Sequence, residues 1–401
     1  MRVLAVNCGS SSLKARLIDA DGTSRRELLK GEAAGLGTER ATLIVTAPDG
    51  GRDEEPLDDA SHAVAMRALL KRIRARGERI DASGHRIVHG GDRFDRPVQV
   101  DAAVLREIEA ASRLAPLHNA PALAALRTTL AELGSEVPAV ATFDTIFHRT
   151  MPPEAAFYPI PPDLAERHGI RRYGFHGLAH RWMVERYATL AGVAVEQARL
   201  ITLQLGSGCS ACAIKDGRSV ETTMGLTPLE GLMMATRSGN VDPALATLLA
   251  REEGVSSDAV VDLLNHRSGL LGVSGCSGDT RDLIIARGQG NERARLALAM
   301  FVHRVRMAIG AYAAVLNGVD AVVFGGGVGE HSTTLREEIC AGMEWLGLVL
   351  DPARNAATVG RDGCISAASA RVAAYVVTVD EEELIVRDTL AVLSAQGGTL
   401  S

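Results

Sequence analysis

The stretch Met1-Arg-Val-Leu-Ala-Val-Asn-Cys-Gly-Ser-Ser-Ser-Leu-Lys-Ala-Arg-Leu-Ile-Asp-Ala-Asp-Gly22 decides the reading of this chain, because its pattern is written a second time. An apolar run from Arg2 to Val6 ends in Asn7-Cys8-Gly9-Ser10-Ser11-Ser12. A second run from Leu13 to Ile18 breaks at Asp19-Ala-Asp-Gly22. Two runs joined by small residues predict a β-hairpin with a glycine–serine elbow at its tip. The second copy reads Leu200-Ile-Thr-Leu-Gln204, Leu205-Gly206-Ser207-Gly208, Cys209-Ser-Ala-Cys-Ala-Ile214 and Lys215-Asp216-Gly217. Laying Gly9-Ser10 on Gly206-Ser207 sets Asn7 over Gln204. Copies about two hundred residues apart are too distant for a solenoid and predict a duplicated domain with two similar lobes.

Glycine lets a backbone turn so that its N–H groups converge, and serine adds a small hydroxyl donor, a combination that binds phosphate oxygens. One such elbow is equally well a tight hairpin without a ligand. Its recurrence favours phosphate, with one elbow from each lobe gripping a polyphosphate.

At 401 residues the chain is long enough for two cores. A charged fraction of 23% is ordinary for a globular protein, and a net charge of −6 offers no broad basic surface, which argues against nucleic acid as the main partner. No uninterrupted apolar run approaches a membrane span, and the N-terminus enters a strand directly without a signal-peptide pattern. Six cysteines in such a chain predict reduced thiols and a cytoplasmic location. Cys209 and Cys212 form a C-x-x-C, but three positions along a strand point to opposite faces, so a metal or redox pair is not expected there.

Strands alternate with helices along the chain, which predicts α/β lobes with mixed sheets. Helices are expected at 60–76, 101–114 (with Asp101 as N-cap), 121–133, 177–190, 292–316, from Ser332, and at 381–393. Further strands are expected at 41–46, 86–88, 137–143, 320–324 and 371–379. The stretch from Met151 to Pro162 holds five prolines and is the expected link between lobes.

Five constellations bear on chemistry. Gly325-Gly-Gly-Val-Gly329 follows an apolar strand and precedes a helix, a setting that attracts phosphate, although it has neither the dinucleotide nor the P-loop spacing. His176 and His180 form an H-x-x-x-H without the glutamate of a zinc protease. A histidine at the helix start acting as an oxyanion donor, or simply capping the helix, reads better than a metal site. Arg86 and Arg237 stand among glycines and small residues, in loops where they are free to fork onto carboxylate or phosphate. Asp144 ends a buried strand, where α/β folds put their ligands, and reads as a base, a ligand to metal-bound water, or a helix cap. Asp380-Glu381-Glu382-Glu383 opens the last helix; two of these acids suit the helix dipole and one is left for Mg²⁺.

With these residues assembled, the chain resembles the acetate kinase (acetokinase) family. The likeness is carried by Val6-Asn-Cys-Gly-Ser-Ser-Ser-Leu-Lys14, His85-Arg-Ile-Val-His-Gly-Gly91, Ala115-Pro-Leu-His-Asn119, Phe143-Asp-Thr-Ile-Phe-His148, Arg172-Tyr-Gly-Phe-His-Gly177 and Thr227-Pro-Leu-Glu-Gly231, with Thr236-Arg237 shortly after. The resemblance implies the acetate and sugar kinase/heat-shock chaperone/actin superfamily: two duplicated ribonuclease-H-like lobes with a central interdomain cleft. It sets residues 1–148 plus 381–401 in an N-terminal lobe and 149–380 in a C-terminal lobe that binds nucleotide and dimerises.

The implied reaction is ATP + acetate ⇌ ADP + acetyl phosphate, by direct in-line transfer with Mg²⁺, or Mn²⁺ in its stead. By position, Asn7 and Glu381 would bind the metal. Lys14, with Ser10 and Ser12 of the first elbow and Gln204, Leu205, Gly206, Ser207 and Gly208 of the second, would hold the ATP phosphates. Asp279, Thr280 and Arg281 would hold the nucleoside, and Gly327, Val328, Gly329, Glu330 and His331 the nucleotide. Arg86 would anchor the acid's carboxylate, with Val88, Leu117, Phe175 and Pro228 walling its methyl group. Asp144 would serve as acid/base or orient metal-bound water, and His176 and Arg237 would stabilise the equatorial oxygens of the moving phosphoryl.

Three motifs depart from the family pattern, at four positions. Gln204-Leu-Gly-Ser-Gly208 stands where His-Leu-Gly-Asn-Gly is usual, Thr280 replaces an aromatic or aliphatic residue, and His331 follows Gly329-Glu330 where Asn is usual. Glutamine still donates a hydrogen bond but cannot be cationic. The resemblance leaves a propionate or other short-chain acyl kinase as the alternative, since one methylene is worth only about 1–3 kcal/mol. A non-enzymatic ATP-binding module of the actin or chaperone class is disfavoured by Arg86, Asp144, His176 and Arg237 all being present. A homodimer is implied by the resemblance alone.

Overall fold

The computed structural model describes residues 1–22, 24–113 and 115–397, with the side chains of 116–118 and 396–397 outside the description. The chain forms two compact units, Met1–Ile146 with Asp380–Ser401, and Phe147–Val379.

Unit 1 is built on β1 (Arg2–Cys8), β2 (Ser12–Asp21), β3 (Ser24–Ala34), β4 (Thr42–Thr46), β5 (Arg52–Pro56), β6 (Ala82–Ile87), β7 (Val98–Gln99) and β8 (Ala139–Phe143), in one sheet of order β5-β4-β3-β2-β1-β6-β8-β7. The first hairpin forms as its sequence pattern predicts, with Asn7 opposite Lys14 and Cys8 opposite Leu13. β1, β6 and β8 run parallel, with Asn7 beside Arg86 and Ile87 beside Phe143. Every residue of β8 is buried, as a strand covered on both faces requires.

One face of this sheet packs on the helices His62–Ala75 and Pro116–Leu133. Leu4, Leu13, Leu17, Leu29, Leu43, Leu69, Leu126 and Phe143 meet there in one core. Each such side chain contributes roughly 1.5–3 kcal/mol by leaving water. Against the other face lies the closing helix Glu381–Gly397. Its approach requires Gly84, because a methyl group there would sit 2.2 Å from Thr389 Oγ1 and 2.6 Å from Ile385 Cγ2. That absence of a side chain is what lets the acidic start of the helix reach the ends of β1 and β6.

Unit 2 repeats the plan with β9 (Arg199–Leu205), β10 (Cys209–Lys215), β11 (Arg218–Thr222), β12 (Ala321–Gly325), β13 (Gly363–Cys364) and β14 (Ala373–Val376), in the order β11-β10-β9-β12-β14-β13. In both units an antiparallel run of three strands continues into two parallel ones: β3-β2-β1-β6-β8 matches β11-β10-β9-β12-β14. The duplication read from the two elbows is therefore a duplication of whole sheets. The second elbow is shorter by one residue, since Leu205 pairs with Cys209 across three residues while Cys8 pairs with Leu13 across four. The helix Glu292–Val315 is long and apolar enough to cross a membrane by composition, yet it packs Leu298, Phe301, Val305 and Ile309 into unit 2.

Several boundaries differ from the sequence reading. β3 and β5 were not expected: β3 opens on the consecutive charges Arg25, Arg26 and Glu27, with Lys30 beyond, and this charge on both faces masks its alternation. The helix expected from Pro121 begins at Pro116 and runs through that proline. The strand expected over 371–379 is paired only over Ala373–Val376. The chain passes from unit 1 to unit 2 at Ile146–Phe147, inside a 3₁₀ turn, so the proline-rich stretch lies wholly within unit 2 as short helices and connections.

His85 and Ser83 share a buried face of β6, each 1% exposed, and among the described residues neither His85 nitrogen nor Ser83 Oγ has a hydrogen-bond partner. Burial lowers the His85 pKa to about 3, against about 6.5 for a free histidine. Between those values the unfolded chain takes up a proton that the folded chain refuses. The resulting stability is complete above pH ~6.5 and is lost as pH falls toward 3. His85→Phe should flatten the slope of unfolding free energy against pH in this window by about one proton, as read by urea titration. An unchanged slope would mean that His85 is not held neutral.

Candidate active site

In unit 1 the parallel register gathers polar groups at the C-terminal ends of β1, β6 and β8. Arg86 donates from Nε to Asp144 Oδ1 at 2.8 Å and from Nη2 to Asp144 Oδ2 at 2.5 Å. Its Nη1 donates to Asn7 Oδ1 at 2.8 Å, and Glu381 lies 3.6 Å from Nη1. Asn7 in turn donates to Glu381 Oε2 at 2.7 Å and to Glu382 Oε1 at 3.2 Å. Asp144 is fully buried and the Arg86 side chain is 12% exposed. Burial opposes the Arg86 charge, but Asp144 and Glu381 outweigh it and raise its pKa. Burial also raises the Glu381 pKa against the pull of Arg86, with repulsion from Asp144 and Glu382 adding to it.

This geometry narrows the chemistry. Asp144 holds the Arg86 guanidinium bidentately, which fixes the orientation of that side chain. Three of the five N–H groups of Arg86 are engaged by Asp144 and Asn7, which leaves two for an acid's carboxylate. The oxygens of Asn7 and Glu381 are the hard donors that suit Mg²⁺, which takes one or two carboxylates and completes its shell with water and phosphate. No group of three or more His, Cys, Asp or Glu among the described residues forms a metal cage.

The first elbow is closed by Gly9 N–H donating to Ser12 O at 2.9 Å, and the His62 ring bonds the Gly9 carbonyl at 2.8 Å. Ser10 and Lys14 are exposed and Ser12 half-buried, all on this hairpin. Val88 is buried in unit 1, while Phe175 and Pro228 are buried in unit 2. The Leu117 side chain lies outside the described residues.

In unit 2 a cavity of about 760 Å³ is lined by Gly206, Ser207, Asp279, Thr280, Arg281, Gly327, Val328 and His331, with Ile284, Ile285 and their neighbours. The second elbow, the nucleoside positions and the glycine run thus converge on one pocket. The glycine run is itself helical over Gly326–His331, earlier than expected. Gly326 has φ +72°, and a methyl group there would meet Leu205 O at 2.6 Å. Leu205, Gly329 and Glu330 do not line the pocket: Leu205 is fully buried, Gly329 packs on Phe324, and Glu330 accepts the Val379 N–H at 3.1 Å. Asp279 caps the helix Thr280–Gly288 and pairs with Arg281 at 2.6 Å. Gln204 Oε1 is buried and has no hydrogen-bond partner among the described residues.

Beside this pocket, Gly208 faces two candidate phosphoryl ligands. A methyl group on it would lie 3.4 Å from His176 Nε2 and 3.6 Å from Arg237 Nη1. Arg237 is anchored by donating to Pro228 O at 3.1 Å, and burial lowers its pKa. His176 is held in the left-handed region at φ 58°. The preceding carbonyl, of Phe175, accepts from His148 Nε2 at 3.0 Å.

Two supports of the site escaped the sequence reading. Arg336, 1% exposed, donates to the Gly329, Glu330, Asn355 and Thr358 carbonyls and to Asn355 Oδ1. It thereby holds the end of the glycine helix, and burial lowers its pKa to about 10. Ser210 and Thr202, small residues on buried strands, bond the two histidines of the H-x-x-x-H. Nothing in a serine or threonine inside a strand signals such a role.

The Arg86–Asp144 pair allows a direct check. Asp144→Ala should cost about 3–5 kcal/mol in urea titration by leaving Arg86 buried without its main partner. Asp144→Leu combined with Arg86→Met should recover most of that loss while abolishing activity. Equal losses for single and double variants would mean the pair is not a coupled buried unit.

The Acetokinase family model matches residues 2–387. An acetate kinase of Desulfitobacterium hafniense is 43% identical over 98% of this chain and 99% of its own length. An acetate kinase of Bacteroides thetaiotaomicron is 42% identical over 98% of this chain and all of its own. Among solved structures, the Porphyromonas gingivalis acetate kinase superposes with a TM-score of 0.89 at 39% identity, covering 98% of this chain and 99% of that one. A propionate kinase from Francisella tularensis gives a TM-score of 0.90 at 35% identity, covering 97% and 99%. With its two duplicated sheets and with matches that run the length of both chains, the protein belongs to the acetokinase family.

Proposed function

We propose that the protein is an acetate kinase, transferring the γ-phosphoryl group of ATP to acetate reversibly and directly. The observation that carries this reading is the convergence of His176 Nε2 and Arg237 Nη1 on Gly208, next to a pocket lined by the second elbow. Two donors, one of them a guanidinium, suit the equatorial oxygens of a phosphoryl in transit, where positioning and charge stabilisation carry most of catalysis.

In the proposed reaction an acetate oxygen forms a bond to the γ-phosphorus as the bond to the β–γ bridging oxygen breaks, and that oxygen leaves with ADP. Acetate is already ionised at neutral pH, so no proton need move. Arg86 would hold the acid through its two remaining N–H groups, kept in place by Asp144. Val88, Leu117, Phe175 and Pro228 would wall the methyl group. The nucleotide would lie along Gly206, Ser207, Asp279, Thr280, Arg281, Gly327, Val328 and His331, its phosphates also meeting Ser10, Ser12, Lys14 and Gln204. Asn7 and Glu381 would hold Mg²⁺, which neutralises phosphate charge when bound. A homodimer formed through unit 2 and a cytoplasmic location belong to the same proposal, supported by likeness to the family along the whole chain.

A second reading, propionate as the acid, is favoured by the closeness of the propionate kinase fold. Hydroxamate-trapped product formation with acetate, propionate and butyrate, each with ATP and GTP, separates the two. Acetate should give the highest kcat/KM, with each added methylene changing it by about 10–200-fold at most. A maximum at propionate would overturn the choice of acid, and no acyl phosphate from any acid would overturn the function. In the same assay Gln204→His should lower KM for ATP or raise kcat; unchanged constants would mean that the glutamine already serves as well as the family's histidine.

A further inference from the structure

His176 does not stand alone beside the pocket. Its Nδ1 is 2.8 Å from Ser210 Oγ, which is 2.8 Å from His180 Nε2, and His180 Nδ1 is 2.7 Å from Thr202 Oγ1. Ser210, His180 and Thr202 are all fully buried. We propose that this chain of hydrogen bonds, ending at Thr202, fixes the proton of neutral His176 on Nε2, so that Thr202, His180 and Ser210 are positioning residues for the phosphoryl donor. The inference rests on the reading of His176 given above.

The direction follows from counting protons. A hydroxyl has one hydrogen to give, and a neutral imidazole has one N–H and one bare nitrogen. Three orderings of the four groups are possible: the two directions along the chain, and one in which Ser210 accepts from both histidines, which would leave the Ser210 hydrogen buried without an acceptor at a cost of about 1–3 kcal/mol. Among the described residues the Thr202 hydroxyl has no partner besides His180 Nδ1. Were His180 to donate to it, the Thr202 hydrogen would be buried without an acceptor, at a cost of about 1–3 kcal/mol. When Thr202 donates instead, only a lone pair goes unused, which costs less. His180 must then carry its proton on Nε2 and donate to Ser210. Ser210 donates to His176 Nδ1, and the single proton of His176 sits on Nε2, the nitrogen facing Gly208 beside Arg237.

The surroundings keep His180 neutral. Burial lowers its pKa well below the usual value, with nearby His148 and His176 adding to the effect. The other titratable or charged groups facing the chain are few. The His148 ring lies 5.6 Å from that of His180, and its Nδ1 is 3.9 Å from Cys212 Sγ. Burial raises the thiols of Cys212 and Cys209 to about 12, and Arg237 acts on Cys209. None of these thiols supplies a competing charge near neutral pH.

The test uses Thr202→Val, which keeps the shape of the side chain and removes the hydroxyl, with Thr202→Ser as the conservative control. In ¹⁵N spectra of histidine-labelled protein without substrate, assigned against His176→Gln, neutral wild-type His176 should be protonated at Nε2. The valine variant should gain the Nδ1–H form and the serine variant should match wild type. In the phosphoryl-transfer assay Thr202→Val should lower kcat by roughly 10- to 100-fold with KM little changed, less than the ~100–1,000-fold expected on losing a donor outright. That defect should shrink at acid pH, where an imidazolium carries both protons. Merely loosened packing would lower activity at all pH values and leave the tautomer alone. An Nδ1–H wild type, or a tautomer unmoved by Thr202→Val, overturns the proposal. An Nε2–H wild type that makes no acyl phosphate upholds the chain of bonds and overturns the reading of the site.

Discussion

The parallel register of β1, β6 and β8 is the constraint on which the first half of the site depends. Alternation along a strand decides which face a side chain takes, and a slip by one residue would send every polar group at the strand ends into the core. Because Asn7 stands beside Arg86, and Asp144 comes directly after the partner of Ile87, three groups from distant parts of the chain share one corner. Gly84 completes the corner from the other side by admitting the last helix, which delivers Glu381. The apolar strands carry no chemistry themselves, yet their pairing sets every distance that matters there.

Unit 2 uses the same scaffold differently. The equivalent strand ends hold the shorter elbow and the glycine helix, which frame a pocket instead of an ion-pair corner. Arg237 here donates to a backbone carbonyl and a thioether sulfur, and His176 bonds a serine hydroxyl.

Much of this was legible from residues alone. Both elbows, the duplicated architecture, the buried strand ending at Asp144 and the Asp101 cap announce themselves, because glycine, serine and apolar alternation carry local instructions. What stayed hidden was of two kinds. β3 was obscured by a run of charges at its start that breaks its pattern. The Thr202–His180–Ser210 chain and the buried Arg336 depend on contacts between segments far apart in sequence, and no local rule marks a strand serine or a helical arginine as part of a site. The proline-rich segment misled for the opposite reason: its composition suits a linker, while the crossing between units is a turn around Ile146 with ordinary residues.

Arg336 has a consequence of its own. Its guanidinium is satisfied entirely by carbonyl and amide oxygens spread around one plane, with no acid within ion-pairing distance among the described residues. A lysine could keep the charge but offers three donors in a cone and would strand at least two of those oxygens away from water. The cation is therefore irreplaceable as a shape before it matters as a charge. Behind the glycine helix that edges the unit 2 pocket sits a flat, many-pronged rivet driven through the protein's own backbone.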